Sequence, residues 1–234
     1  MATRFRLTSS TTAPDVSPAW QSYTHTGGSR RKLLTSDASA LTTTARDPDA
    51  GDHSADGDTE HCQFVSEPLA AQTFTAGDAF DYAIQGFENN ANNTLFVRVF
   101  IGLVSNDGTS ALATLRSKAN DDVELDVSAI ENRYYAGTLS GGYTCAGGER
   151  LVIEFSLSGF PGAGGGVQGH NGSLRWGGDG ASGDLPENNT STSTTSNPWI
   201  EFANTITFAA GGFVPFPRPR GLTGGMQTLS GGLT

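Results

Sequence analysis

The sequence predicts an all-β protein, an antiparallel β-sandwich with extended arms at both ends. Three observations predict this class. The 234 residues include 31 Gly, 27 Thr and 22 Ser, and Gly and Thr favour turns and strands over helices. Apolar and polar residues alternate over several short segments, as in strands with one buried face. Turn signals separate these segments. A jelly roll is the preferred topology and an immunoglobulin-like sandwich the second.

Residues 1–45 are predicted to form an extended N-terminal arm. Phe5 and Leu7 alternate with polar residues, which indicates a short strand. The following mixture of Pro, Ser and Thr cannot bury a core by itself, and disordered segments are usually poor in aromatic residues. Large apolar side chains in such a segment therefore predict docking on a partner. The predicted anchors are Trp20, Tyr23, Leu33 and Leu34.

Charge is distributed unevenly along the chain, which carries −10 overall. Residues 1–36 hold five basic residues and one acid, whereas residues 37–201 hold seven basic residues and 23 acids. Basic ends on an acidic body predict arms that meet an acidic surface, such as a neighbouring copy; solvated tails are the alternative. The predicted basic contacts are Arg30, Arg31 and Lys32. No longer basic cluster exists, so specific nucleic-acid binding is not expected.

Residues 46–61 contain six acids in sixteen positions. They are predicted to form an acidic linker or loop. Calcium binding by such an Asp- and Gly-rich segment stays open, although the spacing differs from the twelve-residue calcium loop. His53, His61 and Cys62 lack the paired spacing of zinc ligands, so no metal site is predicted.

Residues 62–208 are predicted to form the sandwich domain. Alternating apolar residues over 95–103 indicate a central strand, which a turn at 105–108 follows. A short helix is considered at 111–119. For Cys62 and Cys145, a disulfide and two buried thiols stay equally open. Further strands are predicted near residues 63–66, 80–85, 123–127, 133–139, 150–157, 174–176 and 200–208.

Residues 209–234 are predicted to form a second extended arm, rich in Pro and Gly. Three prolines at positions 215, 217 and 219 fix their own backbone angles and bias the preceding residues toward extended conformations. Phe213 and Phe216 are the predicted anchors of this arm.

Motifs for catalysis are missing from the sequence. No G-x-S-x-G elbow occurs, and the Gly-rich stretch near His170 lies between two strand-like segments, unlike a dinucleotide-binding loop. We expect no catalytic residue, no cofactor and no enzymatic activity. No apolar run is long enough for a membrane span, and the N-terminus lacks the apolar region of a secretory signal.

Sugar binding is the main alternative to a structural role. Sandwich modules often bind carbohydrate on exposed aromatic side chains, and a host glycan would be the partner. The candidate platform comprises Trp176, Trp199, Tyr134 and Tyr135. Strand-like positions for both tryptophans also suit residues that fill the core.

Four segments resemble structural proteins of tailed-bacteriophage particles. They are TRFRLTSSTTAPDVSPAW, QFVSEPLAAQTFTAGDAFDYAIQG, TLFVRVFIGLVSNDGT and GDLPENNTSTSTTSNPWIEFANTITF, and they span roughly residues 3–208. The resemblance implies a non-catalytic β-sandwich in the virion, which is assembled in the host cytoplasm. Multiple copies would sit on the capsid or the tail, in a decoration, cement or tail-surface role. Partners would be copies of itself and other virion proteins. The resemblance does not distinguish head from tail.

Overall fold

Thirteen β-strands form the regular structure of the residues that the computed structural model describes. These are residues 1–9, 12–21, 31–36, 45–48, 57–88, 93–121, 123–126, 130–161, 172–178, 181–193 and 195–210. The strands are β1 (Thr3–Arg6), β2 (Arg31–Leu33), β3 (Ala45–Pro48), β4 (Gly57–Val65), β5 (Gln72–Phe74), β6 (Ala79–Glu88), β7 (Asn93–Val104), β8 (Ala111–Asn120), β9 (Glu131–Thr138), β10 (Tyr143–Cys145), β11 (Arg150–Pro161), β12 (Gly172–Trp176) and β13 (Trp199–Phe202).

The strands form two large sheets and one small one. Sheet 1 has the order β1-β13-β6-β12-β3, and β9 pairs with the other edge of β6. Sheet 2 has the order β2-β4-β11-β7-β8, and β5 pairs with β10 separately. Every strand pair is antiparallel except β2 with β4, which is parallel. The prediction of an all-β sandwich is confirmed, while the choice between a jelly roll and an immunoglobulin-like topology stays a prediction.

The core lies between sheets 1 and 2, and β7 and β11 supply its longest apolar faces. The two strands pair along twelve residues. Five alternate side chains of β7 and four of β11 point inward and are buried, which confirms the predicted central strand. The two sheets meet in ring contacts such as Tyr82 against Phe155, with centroids 5.2 Å apart at 83°. These inward side chains are Leu95, Val97, Val99, Ile101, Leu103, Leu151, Ile153, Phe155 and Leu157.

The segment considered as a helix at 111–119 is the edge strand β8, which corrects that prediction. Residues such as Ala, Leu, Arg and Lys favour helices only weakly, and tertiary pairing overrides such propensities. Here the turn at 105–108 folds β8 back onto β7, and the Ser105 carbonyl accepts from the Gly108 N–H at 2.8 Å. The β7–β8 register shifts at three places.

The ends of the predicted arm and linker belong to the sheets. β1 pairs with β13, and Phe5 and Leu7 are fully buried. β3 and β4 extend into the predicted linker from both sides, because their backbones pair with β12 and β11. This corrects the linker at both of its ends. Residues 49–56 and the arm beyond residue 210 lie outside the described residues.

Candidate functional site

The N-terminal segment crosses the outer face of sheet 2, and its contacts there form the candidate functional site. The chain leaves sheet 1 after Leu7, whose carbonyl accepts from the Gly177 N–H at 2.6 Å. Residues 12–21, which we call the strap, then contact β4, β7 and β11. The chain returns at β2, where the Leu33 N–H donates to the Thr12 carbonyl at 3.4 Å. Both ends of this excursion are therefore held by the same chain, unlike the ends of a free arm.

An ion pair with a buried arginine holds the first half of the strap. The Arg150 side chain is 4% exposed, and its guanidinium lies 2.8 Å from the carboxylate of Asp15, which is 66% exposed. The same guanidinium donates to the Asn106 carbonyl at 2.8 Å and to the Ser66 carbonyl at 3.1 Å. Because a buried guanidinium needs partners for its N–H groups, Arg150 joins the strap, the end of β4 and the β7–β8 turn.

A small apolar patch lies beside this ion pair. Val16 packs against Val65, Val104 and Val152, one valine from each of three neighbouring strands. These three side chains point away from the main core. The strap also covers the β7–β8 turn, because a Cβ placed on Gly108 would lie 3.1 Å from the Cβ of Val16.

A buried carboxylate meets the other end of the strap. Glu154 lies on the outward face of β11 and is 1% exposed. The Gln63 side-chain amide donates to its Oε1 at 2.7 Å, and the backbone N–H of Gln21 lies 3.1 Å from Oε2. Burial raises the pKa of Glu154, although these hydrogen bonds and the charges of Lys118 and Arg31 act in the opposite direction.

Arg31 on β2 contacts the C-terminal half of the strap. Its guanidinium donates to the Pro18 carbonyl at 2.7 Å and to the Gln63 side chain, and it lies 5.3 Å from the Trp20 ring centroid. An arginine over an indole face is a favourable cation–π contact. The sequence predicts Trp20 as an anchor and Arg31 as a basic contact, each on its own. The structure brings them together within one chain.

The other predicted arm residues separate into three groups. Leu34 is 3% exposed and belongs to the main core, so it is not an anchor on a partner. This correction follows from β2, which carries the chain alongside β4 and directs Leu34 between the sheets. Leu33 and Lys32 are half-buried in β2, and burial lowers the pKa of Lys32. Tyr23, Arg30, Phe213 and Phe216 lie outside the described residues.

A groove runs alongside the strap on the outer face of sheet 2. Its empty volume is about 260 Å³, including the part open to solvent. Ala19 and Gln21 of the strap line one side, and Phe100, Gly102 and Val104 of β7 line the other.

The outer face of sheet 1 carries a different cover, residues 181–193 and 195–197. Trp199 lies beneath it and donates its indole N–H to the Leu185 carbonyl at 2.8 Å. The backbone N–H of Asn132 on β9 donates to the Ser191 carbonyl at 2.8 Å. The Asn132 side chain donates to two further carbonyls of the cover. We call this segment the sheet 1 cover.

Ion pairs add to these hydrogen bonds. Arg4 on β1 lies 3.1 Å from Asp184 of the cover and 2.9 Å from Glu201 on β13. Arg6 reaches the same Asp184 at 3.0 Å. The Arg4 guanidinium also lies 3.7 Å from the Trp199 ring centroid. The sheet 1 cover is thus held by backbone, side-chain and cation–π contacts together.

The predicted sugar platform is not present as an exposed surface. Trp176 is 4% exposed and points into the main core, and Trp199 is fully buried beneath the sheet 1 cover. Tyr134 lies beside Trp199, whereas Tyr135 stacks on Tyr82 with centroids 5.5 Å apart. The tryptophans therefore fill interior space, which corrects the platform prediction.

A buried polar cluster joins the two sheets at the edge where β8 approaches β9. The Arg133 guanidinium lies 3.2 Å from the Asp121 carboxylate, and both side chains are 2% exposed. Arg116 donates to the Tyr135 hydroxyl at 3.0 Å. Burial raises the pKa of Asp121 to about 6, against the opposing charge of Arg133. Close to this cluster, the N–H groups of Ser140 and Gly141, which follow β9, donate to the Leu115 carbonyl of β8 at 2.7 and 3.0 Å, so side-chain and backbone contacts together connect the sheets at this edge.

The part of the chain that the structure describes offers no metal site and no reactive thiol. It contains no group of three His, Cys, Asp or Glu side chains placed to hold a metal ion. None of its elements is a helix long and apolar enough to cross a membrane. Cys62 and Cys145 are both buried and form no disulfide. Burial raises the pKa of Cys145 to about 11, and a protonated thiol is a poor nucleophile.

Sequence reasoning missed Asp15, Arg150 and Glu154, three of the four charged residues that hold the strap; the fourth, Arg31, was predicted as a basic contact. One signal was available within β11, where Val152 occupies an outward position between Arg150 and Glu154. An apolar residue on the outward face of a central strand indicates that something covers that face. The identity of the cover had no local signal, since Asp15 and Arg150 are 135 positions apart.

Comparisons with known proteins give structural similarity at low identity. No protein-family model and no curated protein matches the chain. A CocE/NonD family hydrolase from Staphylococcus aureus matches 88% of this chain and 36% of its own, with a TM-score of 0.46 and 9% identity. The VP2 subviral particle of infectious bursal disease virus matches 72% of this chain and 35% of its own, with a TM-score of 0.29 and 13% identity. The chain spans about a third of each of these structures.

Proposed function

We propose that this chain is a non-enzymatic structural protein of a tailed-bacteriophage particle. Several copies sit on the capsid or the tail in a decoration, cement or tail-surface role. The partners are further copies of the chain and other virion proteins, and the location is the virion. The four segments that resemble such proteins support this proposal, and they include the strap sequence APDVSPAW.

The observation that carries the proposal is the strap on the outer face of sheet 2. Arg150, Glu154 and Arg31 of the sandwich hold the strap through Asp15, the Gln21 N–H and the Pro18 carbonyl. Such a surface suits the binding of extended segments, which is how small domains gain large interfaces. The buried charges of the described residues also tie elements together, as Arg133 does with Asp121.

Particle composition tests this function. A tagged full-length chain would be expressed during infection by the phage that encodes it, and particles would be purified on a density gradient. We expect the chain to co-purify with particles in several copies, measured by quantitative mass spectrometry. A chain found only in the soluble fraction would contradict the proposal.

A variant with an altered strap tests the role of the site. Removal of residues 1–45 is unsuitable, because Phe5, Leu7 and Leu34 belong to the core. The combined substitutions Asp15→Ala, Val16→Ala and Trp20→Ala change only the strap. We expect this variant to fold and to join particles at a reduced level. Normal incorporation would show that the strap has no part in assembly.

A further inference from the structure

The strap is attached to sheet 2 mainly through side chains. Within the described residues, no backbone–backbone hydrogen bond joins residues 13–21 to the sheet. The attachments are the pairs Asp15–Arg150 and Pro18–Arg31, the Gln21 contact with a carboxylate, and the Val16 patch. Most of the strap is exposed or half-buried. A cover of this kind can leave without breaking a β-ladder.

The surface beneath the strap is specific for the strap's own chemistry. Arg150, Val152 and Glu154 lie on one outward face of β11, and we call them the seat. They require a carboxylate, an apolar side chain and a backbone N–H, in that order. Alternate residues of a strand are about 6.6 Å apart, so the seat is about 13 Å long. Residues 15–21 supply these groups at matching positions.

A partner that replaces the strap must offer the same three groups. Without the strap, Arg150 keeps its bonds to the Asn106 and Ser66 carbonyls, and Glu154 keeps the bond from Gln63. A chemically different segment would still lose the ion pair, the Val16 contact and the Gln21 N–H together, so it would bind the seat less well. The strap of a second copy satisfies this requirement without any change in contacts. Charge complementarity therefore selects a second copy of this chain as the occupant.

The length of the excursion permits an exchange. Asp15 lies eight positions after Leu7, and Gln21 lies ten positions before Arg31. Extended chain spans about 3.3 Å per residue, so each side of the excursion reaches about 26 Å or more. Facing sheets in direct contact pack about 10 Å apart, and a layer of straps between the two faces doubles that distance to about 20 Å. A strap can thus reach the seat of a copy that presents the same face of sheet 2.

We propose that the seat binds the strap of a second copy, so that two copies facing each other through sheet 2 exchange straps reciprocally. The inference rests on the proposed role in particle assembly. Such a contact is isologous, with the same patch on both subunits. Exchanged and unexchanged straps make equal contacts. Concentration therefore decides between them, because a short linker gives an effective concentration of about millimolar. Each copy holds its own strap in dilute solution, and exchange dominates where copies are crowded.

Disulfide trapping between two different variants tests the exchange. Full-length Val16→Cys protein would be mixed with Val152→Cys protein, oxidised, and analysed on a non-reducing gel and by peptide mass spectrometry. We expect a disulfide joining positions 16 and 152 of different chains. Its yield should rise steeply as the protein approaches about millimolar concentration. The matched control pairs Val16→Cys with Glu187→Cys, whose side chain is exposed on the sheet 1 cover, and should give no more than background.

A single-chain variant makes every outcome informative. Val16→Cys and Val152→Cys in one chain should close an intramolecular disulfide in dilute solution, since Val16 packs on Val152. Closure without any mixed dimer at high concentration would overturn the exchange. Failure to close would overturn the seat itself. Neither outcome depends on whether the wild-type chain co-purifies with particles. The disulfide experiments therefore test the exchange, and co-purification tests the assembly role.

Discussion

The two outer faces of the sandwich are covered in different ways. The sheet 1 cover, residues 181–193 and 195–197, is attached through backbone groups and through the fully buried Trp199. The strap, residues 12–21, is attached mainly through charged side chains and one small valine patch, with backbone contacts at Thr12 and Gln21. A segment held by backbone and a buried indole is part of the fold. The strap itself is mostly exposed or half-buried, so it resembles a bound peptide more than a part of the fold.

The largest expected difference lies between the two tryptophans of these regions. Trp199→Ala removes a fully buried ring, its hydrogen bond to the Leu185 carbonyl and the face that Arg4 contacts. Loss of a buried tryptophan costs about 3 to 5 kcal/mol. Trp20→Ala on the strap should lower the free energy of unfolding by less than about 1 kcal/mol. Urea unfolding of both variants measures this, and equal losses would remove the distinction between the covers.

The stability of the sandwich should depend on pH through the buried carboxyl group of Glu88. Burial raises the pKa of Glu88 to about 7, and Glu124 and Asp126 nearby act in the same direction. The ordinary value is 4.5, so the folded state binds the proton more tightly than the unfolded chain. Stability from this group therefore rises as the pH falls from about 7 to about 4.5.

Glu88→Gln should remove the part of the pH response that comes from Glu88, whereas Asp121, with a pKa raised by burial to about 6, still contributes in the same direction. We expect the free energy of unfolding of the wild type to increase by about 1 to 3 kcal/mol between pH 8 and pH 5, and the variant to show a flatter profile. Glu187→Gln makes the same charge change at an exposed position and should leave the slope intact. Denaturant titrations at several pH values decide this. A stability that falls with acid in the same range would show that Glu88 is ionised at little cost.

The parts predicted from sequence are those set by local periodicity. The alternation over 95–103 predicts the inward face of β7, because a strand repeats every two residues. β8 was missed because its helix-favouring composition is overridden by pairing with β7. Leu34 was assigned to a partner because nothing near it indicates a parallel pairing with β4.

The seat is harder to predict from the sequence than any of the strands, because its contacts join residues that are far apart along the chain. Its contacts join the strap to β11 across more than 130 positions, as Gln21 with Glu154 shows. Local sequence identifies Trp20 and Arg31 as contact residues, but cannot tell that they contact one another. Trp199 is similarly identified as an important aromatic, and only the tertiary structure places it under a cover.

Removing either partner of the Asp15–Arg150 ion pair should lower the free energy of unfolding by different amounts. Arg150→Met leaves the buried Ser66 and Asn106 carbonyls without their donor, which costs about 1 to 3 kcal/mol. Asp15→Asn removes the exposed partner, and such pairs are worth about 0 to 1 kcal/mol. Thermal or urea unfolding of the two variants measures the difference. A larger loss for Asp15→Asn would make the strap an integral part of the fold.

The smallest expected effect concerns the contact between the strap and the β7–β8 turn at Gly108. Gly108 has a φ of +73°, and Gly77 has a φ of +97° with open space within 4 Å of where a Cβ would lie. Either Gly→Ala change places a side chain in a left-handed backbone, at a cost of about 1 kcal/mol. Only at Gly108 does the new methyl also press on Val16. Hydrogen exchange of the Gln21 amide, the strap N–H that donates to Glu154, should therefore accelerate in Gly108→Ala and stay unchanged in Gly77→Ala. Adding Val16→Gly should reduce that difference, because it removes the Cβ that the new methyl meets at 3.1 Å. Equal exchange in both single variants would mean that the strap does not rest on this turn.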